Sequence, residues 1–433
     1  MDNTEQNFIK REIFEEVAGH MDKPEITLIT GSRQVGKTVL LGQLKEYLIK
    51  KGISQDLIYY YNLDLVQDWE LFQNQTDFIE FLRERSREQT IYVFIDEAQK
   101  VPESARFFKG VYDSKLNVKL ILTGSSSLEI KAKFKETLAG RKRIFRLPPF
   151  TFPEFLKCKD EILANLFKKA EKIGEINEID KKSLIRLYKE YATFGGYPRV
   201  VLSQGREEKV NILKEIYSSY VERDAVMFFE IRNKSAFNRL VKLLAAQIGQ
   251  LVNIGELSAN LGVDRHSVER YISALEESFI IRRIAPYYRN PRQEIVKAGK
   301  IYYLDCGIRN LALETFLPFD ERIDKGPVLE NAVFTEILFL QRNKTGILHF
   351  WRTKQKTEVD FVIEKEKDFM PIEVKVAARD KKIPAGLNNF MDKIRPQRAL
   401  IVNLSLSGES VRVNETNVNF VYPFELRRFI ECK

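Results

Sequence analysis

The residues best equipped for chemistry begin with Gly31-Ser32-Arg33-Gln34-Val35-Gly36-Lys37-Thr38. They follow the β-rich apolar run Glu25 to Thr30 and precede the helical pattern that continues from Val39. A strand, a glycine-bounded loop and a helix in that order make a Walker A phosphate cradle. The glycines let backbone N–H groups close on phosphate oxygens, and the helix presents its positive N-terminal end. Lys37 is expected to reach the β and γ phosphates and the Thr38 hydroxyl to ligate Mg²⁺, so the spacing predicts an ATP site with Mg²⁺ as the accompanying ion.

A second strand completes that site. Ile91 to Ile95 is wholly apolar and ends in Asp96-Glu97, with Asp96 expected in the magnesium shell and Glu97 expected to polarise the attacking water. A third apolar run, Val118 to Leu122, ends in Thr123-Gly124-Ser125. This places hydroxyls where ligands bind in open α/β sheets, with Thr123 or Ser125 a candidate γ-phosphate sensor and a helix cap the alternative. Arg141 in Gly140-Arg141-Lys142-Arg143, and Arg199 after Gly195-Gly196-Tyr197-Pro198, are candidate phosphate contacts, from the same chain or from a second copy in a homo-oligomer.

The other group lies near the carboxyl end. Asp360 falls on one alternating strand, and Glu373 and Lys375 fall two residues apart on the next, which puts them on one face. This is the PD-(D/E)xK arrangement: Asp360 and Glu373 can ligate Mg²⁺ while Lys375 orients the water that attacks a phosphodiester. Glu330, on a preceding helical stretch, supplies an additional acid. An ordinary salt bridge on an exposed sheet face is the competing explanation.

Taken together, GSRQVGKT, the strand ending Asp96-Glu97-Ala98-Gln99, LTGSSS at 122–127, Ala139-Gly140-Arg141 and Gly195-Gly196-Tyr197-Pro198 give the chain a resemblance. It resembles the bacterial and archaeal AAA-type ATPases of the signal-transduction (STAND) class, across almost its whole length. The resemblance implies ATP binding with slow, switch-like hydrolysis. It also implies a winged helix followed by a C-terminal domain of restriction-endonuclease-like fold.

The elements that must position these residues define a multidomain α/β protein. The expected parts are a P-loop ATPase core over 1–150, a helical lid and connector over 151–235, a winged helix-turn-helix over 236–290 and a PD-(D/E)xK nuclease-like domain over 291–433. In the winged unit Asp264 is placed to cap a third helix that would present Arg265, His266, Glu269, Arg270 and Ser273 to a DNA groove. At 433 residues the chain exceeds one core. Its net charge of +9 suits DNA without requiring it. Three scattered cysteines, Cys158, Cys306 and Cys432, argue against disulfides and structural zinc. No apolar run is long enough to cross a bilayer and no signal peptide is evident, so a cytoplasmic protein without membrane contact is expected. Two functions compete: an ATPase governing a DNA-binding, metal-dependent nuclease half, and a signalling switch whose C-terminal parts bind protein.

Overall fold

A parallel sheet is covered on both faces, so its strands carry nearly unbroken apolar runs, and the three inner strands of the N-terminal sheet are of this kind. The computed structural model describes residues 8–124, 138–173, 176–219, 229–287 and 298–431. Residues 1–150, with 277–279, make one of two compact units. In it β1 (Ile26–Thr30), β2 (Ile58–Asn62), β3 (Ile91–Asp96), β4 (Val118–Gly124) and β5 (Lys142–Arg146) pair in parallel in the order β2-β3-β4-β1-β5. Every residue of β1 and β3 is buried. Leu28, Val93, Ile95, Leu120 and Leu122 form the sheet side of the core, against Phe72, Phe78, Phe107 and Phe108. Helix α1 (Lys37–Lys50) buries Leu40, Leu41, Leu44 and Leu48, an apolar stripe at helical spacing. Because β4 separates β1 from β3, its carboxyl end is inserted between the phosphate loop and the acid-bearing strand.

The second unit comprises 151–276 and 280–433. Its first helix, α2 (Phe152–Lys159), opens with a complete capping box between Thr151 and Glu154. This helix and α3 (Glu178–Phe194), in the stretch expected as a lid and connector, cluster with the C-terminal half, where their aromatic faces find partners. Phe152 stacks on Phe424 with centroids 6.0 Å apart, and its amide donates to Glu336 at 3.0 Å. Next come α4 (Lys234–Ala246), α5 (Ile254–Leu261) and α6 (Arg265–Glu277). Asn233 and Asn253 cap the first two, Asp264 accepts from the Ser267 amide at 2.9 Å, and Gly262 ends α5 in the left-handed conformation. An antiparallel pair follows, β6 (Ile281–Ile284) with β7 (Lys300–Tyr303).

A buried polar network fastens these pieces. Asp305 caps α7 (Cys306–Ala312) through the Ile308 amide at 3.0 Å and also accepts the Gly196 amide at 2.7 Å. The Asn310 amide group donates to the carbonyls of Ala192 and Thr193 at the end of α3. Arg309, 2% exposed, donates to the Ala245 carbonyl on α4 and pairs with Asp324, which Arg322 also binds. The Gly195-Gly196 motif is thus a docking point of this network. Its neighbour Arg199 pairs with Glu215 at 3.1 Å.

The chain then forms helix α8 (Lys325–Leu340) and a six-stranded sheet ordered β12-β13-β11-β10-β9-β8. Its strands are β8 (Ile347–Arg352), β9 (Glu358–Lys365), β10 (Asp368–Val374), β11 (Arg398–Val402), β12 (Glu409–Val413) and β13 (Thr416–Val421). Helix α9 (Ala385–Ile394) makes the crossover between the parallel strands β10 and β11, covering a face with Leu387, Phe390 and Met391. No helix among the described residues is long and apolar enough to cross a membrane.

Gly195 has φ 76° and ψ −168°, and a β-carbon on it would lie 2.3 Å from an Asp305 oxygen. That backbone region is open essentially to glycine alone, at about 1–3 kcal/mol for other residues. Gly195→Ala is expected to lower unfolding free energy by at least that amount, measured by urea denaturation. A change within 0.5 kcal/mol, the usual range of surface substitutions, would contradict the network's importance.

Candidate functional site

The chain leaves β1 at Thr30 into the phosphate loop, and two contacts fix how it turns. A β-carbon on Gly31 would stand 2.3 Å from the Leu147 carbonyl oxygen, so this position needs glycine for close approach to the strand beside it. Gln34 and Gly36 have φ of 61° and 94°, the left-handed backbone that curls N–H groups into an anion-binding concavity. Ser32 and Val35 are buried in the loop wall, and Arg33 and Gln34 reach further toward solvent. Sequence patterns did not single out Arg11. Buried beneath the loop, it donates to the Val35 carbonyl at 2.7 Å and the Pro148 carbonyl at 2.6 Å, and stacks on Phe150. No motif marks such an arginine, because its role lies in reaching across 24 residues.

Lys37 is 6% exposed and folds back over the loop, donating to the Gly31 and Ser32 carbonyls at 3.1 and 3.0 Å. Burial lowers its pKa, against the opposing pull of Glu97 and Asp96 nearby. The Thr38 hydroxyl donates to Asp96 at 2.5 Å, and the Thr123 hydroxyl donates to the other Asp96 oxygen while accepting the Glu97 amide at 3.0 Å. Tyr60 adds a hydroxyl 3.4 Å from Asp96, and burial followed by that carboxylate pushes its pKa well above the usual phenol range. Thr123, on the strand inserted between β1 and β3, therefore orients the acid. Gln99 donates to Glu97 at 2.5 Å, and Glu97 itself has φ 57°. A hydroxyl beside a carboxylate is the hard oxygen donor set that suits Mg²⁺ with waters and phosphate oxygens completing its shell.

One sequence candidate falls elsewhere. Arg141 precedes β5 at the opposite end of the parallel sheet: its carbonyl accepts the amide of Ile26, the first residue of β1, and its guanidinium pairs with Asp113 at 2.7 Å. Five strand residues at about 3.3 Å each separate it from the phosphate loop, so the sheet keeps it from phosphates bound by its own chain. Ser125 lies outside the described residues.

In the second unit, the antiparallel register Ile372↔Phe361 carries Glu373 alongside Asp360. The Val374 amide donates to Asp360 at 2.8 Å, and Lys375, just beyond the strand, donates to Glu373 at 2.7 Å. Asp360 and Glu373 are 7% and 4% exposed, and among the described residues Glu373 Oε2 has no partner within hydrogen-bond geometry, although the Asp360 backbone lies near enough to favour its charged form. Burial, then the Asp360 charge, pushes the Glu373 carboxyl up to about 7. Glu330 on α8 is held by the Tyr302 hydroxyl at 2.6 Å, and burial with Asp360 nearby raises it to about 8. Lys300, wholly buried, stands 3.6 Å from Glu358. Gly249 approaches so near that a β-carbon there would lie 2.7 Å from Glu330. Tyr302, Lys300 and Gly249 escaped sequence reading because they come from the segments before the acid-bearing strands. Among the described residues no three His, Cys, Asp or Glu side chains cluster as metal ligands, so a cation here would rest on the Asp360–Glu373 pair with other oxygens.

One family match falls on the N-terminal site. Residues 23–156 match the family described as AAA domain, residues 185–318 a domain of unknown function (DUF8612) and residues 325–425 another (DUF4143). An uncharacterised protein of Haemophilus influenzae is 26% identical, with 82% of this chain and 83% of that one covered. One from Methanocaldococcus jannaschii, MJ1544, is 28% identical over 78% and 72% of the two chains. Among solved structures, a Walker-type ATPase of Pyrococcus abyssi is similar with TM-score 0.47 and 15% identity, covering 71% of this chain and 96% of that one. The Aeropyrum pernix ORC2 protein in its ADP form gives 0.34 and 11%, over 68% and 91%. Residues 23–156 are thus an AAA-type, P-loop ATPase-like domain.

A carboxyl raised on folding favours the folded state only while protonated. For Glu373 that contribution is complete below about pH 4.5 and is lost as pH rises through about 7. Glu373→Gln stays neutral throughout. In metal-free buffer it is expected to match the wild type near pH 4.5 and to exceed it in stability at pH 8 by on the order of 2–3 kcal/mol. Parallel urea curves at both pH values would contradict the burial argument.

Proposed function

We propose that the protein is a Mg-ATP-dependent, switch-like AAA-type ATPase of the cytoplasm whose nucleotide state governs a nucleic-acid-binding C-terminal half. The observation that carries the ATPase reading is the convergence of the Thr38 and Thr123 hydroxyls on the two oxygens of Asp96, beside Glu97 and a buried Lys37. In this reading the loop 31–36 cradles phosphate and Lys37 exchanges its two carbonyl partners for phosphate oxygens. Thr38 and Asp96 hold the cation, which when bound neutralises developing phosphate charge. Glu97, released from Gln99, turns the attacking water. The Gln99 hydrogen bond holds this carboxylate until water and nucleotide are in place.

For the C-terminal half, the reading as a winged helix joined to a PD-(D/E)xK nuclease-like domain draws support from helices α4–α6 with the β6–β7 pair, and from Asp360, Glu373 and Lys375 meeting on one sheet end. Asp360 and Glu373 would hold Mg²⁺ and Lys375 would orient water toward a phosphodiester. The unpartnered Glu373 oxygen supports a cation there, since a buried polar atom without a partner is costly.

Lys37→Ala is expected to weaken ATP binding at least tenfold, read by a fluorescent-nucleotide titration. Glu97→Gln should keep binding and lose at least 100-fold in steady-state hydrolysis, since its role belongs to the transition state. Wild-type turnover in both variants would remove the assignment. Separately, wild-type protein with Mg²⁺ or Mn²⁺ is expected to cut DNA, and identically prepared Asp360→Ala protein to cut none while hydrolysing ATP normally. Equal cutting by the two would assign it to a contaminant and leave a domain that binds without cleaving.

A further inference from the structure

The end of the C-terminal sheet that carries Asp360 and Glu373 is framed by two basic segments. One is the turn 353–357 from β8 to β9. It is rigidly closed: the Thr353 amide donates to the Thr357 carbonyl at 2.9 Å, their hydroxyls meet at 2.6 Å, and Lys356 has φ 65°. The other is the loop 375–384 leaving β10. It begins beside Asp360, which accepts the amide of Val374, and is pinned by Lys375 to the Val402 carbonyl and by Ala378 to the Ser405 hydroxyl. It ends where α9 presses on β9, so closely that a β-carbon on Gly386 would lie 1.8 Å from the Glu358 carbonyl. The two segments therefore flank the carboxylate pair from β9 and from β10.

Lys354, Lys356, Lys375, Arg379, Lys381 and Lys382 are all exposed on them, against one exposed acid, Asp380. Lys375 is committed to Glu373 and Lys381 to Glu409. Lys354, Lys356, Arg379 and Lys382 have no ion pair among the described residues. Four uncommitted cations at one end of the sheet, on loops adjoining the neighbouring strands β9 and β10, repel one another unless a polyanion meets them. Helix α6, expected from sequence to read DNA, is a poorer surface. Over 264–277 it sets Asp264, Glu269, Glu276 and Glu277 against Arg265 and Arg270, and its acids Glu269 and Glu276 already bind Arg283.

Resting on the reading of the C-terminal half as nucleic-acid-binding, we propose that the rim formed by 353–357 and 375–384 is where it grips the nucleic-acid backbone, with phosphates held by Lys354, Lys356, Arg379 and Lys382. Contacts of this kind position a duplex without reading its bases. Binding is accordingly independent of sequence, and the backbone runs across Asp360 and Glu373.

The test uses the full chain, with fluorescence anisotropy on two duplex DNAs of unrelated sequence, a duplex RNA of equal length and poly-glutamate, over a salt series. Wild type should bind both DNAs equally. Lys354→Glu/Lys356→Glu/Arg379→Glu/Lys382→Glu should lose at least tenfold in affinity and flatten the log–log salt slope by about 3.6, close to 0.9 for each of the four phosphate contacts. Arg265→Glu/Arg270→Glu should bind within threefold of wild type. A duplex RNA that binds more tightly than DNA, with the same loss in the rim variant, supports the same surface and names RNA as the source. The rim variant must keep wild-type ATP turnover and melting temperature, and Lys→Gln versions at the same four positions serve where it does not. Wild-type binding that survives rim reversal, or that is lost only in the helix variant, overturns the rim and leaves the nucleic-acid reading standing. Absence of duplex binding by wild type at low salt overturns both. Poly-glutamate binding as tight as DNA overturns it in favour of an acidic protein.

Discussion

The 2.7 Å hydrogen bond from the Gly196 amide to buried Asp305 joins segments more than a hundred residues apart, and the second unit is arranged around it. A carboxylate out of water needs donors or keeps its proton, and even with the Gly196 and Ile308 amides burial pushes Asp305 up to about 6. Geometry around it leaves no slack. Gly195 has no room for a side chain, Gly307 lies against the Phe194 carbonyl, and Asn310 holds the end of α3. Next in line, Arg309 and Arg322 share Asp324 immediately before α8, the helix that supplies Glu330. The position of that acid at the C-terminal site is thus tied to the same buried network.

The same constraint separates the two candidate sites. Asp96 is as buried as Asp305, but hydroxyls from Thr38, Thr123 and Tyr60 surround it. Each donor comes from a different element, α1, β4 and β2, so moving any of them moves the acid. Glu373 is buried with one oxygen on Lys375 and the other without hydrogen-bond geometry among the described residues. The first arrangement is complete as a hydrogen-bonded cluster. The second leaves one carboxyl oxygen without such a bond among the described residues, and burial favours its protonated form.

Much of the N-terminal unit could be read from residue order. Apolar runs at 26–30, 91–95 and 118–122 became β1, β3 and β4 because strands buried on both faces admit little else, and Gly31 and Gly36 occupy positions closed to a side chain or turned to positive φ. Asp264 as a helix cap and the alternation around Asp360 and Glu373 were legible for the same local reason: 3.6- and 2-residue periods are written directly in sequence.

What the sequence determined by itself was local: loops, caps, strand faces and the pairing of residues within a few positions of each other. Tertiary structure decided which distant groups met. It placed Arg141 at the far end of the sheet although its motif stood in the expected order, because a parallel strand presents its two ends to opposite edges. It turned Gly195-Gly196 into a seat for Asp305, set Arg11 under the phosphate loop, and brought Lys300, Tyr302 and Gly249 to the Asp360 site. None of these has a periodicity or a spacing to betray it. Each follows from the burial of a charge or a close backbone approach, and both exist only once chain segments far apart in sequence have packed.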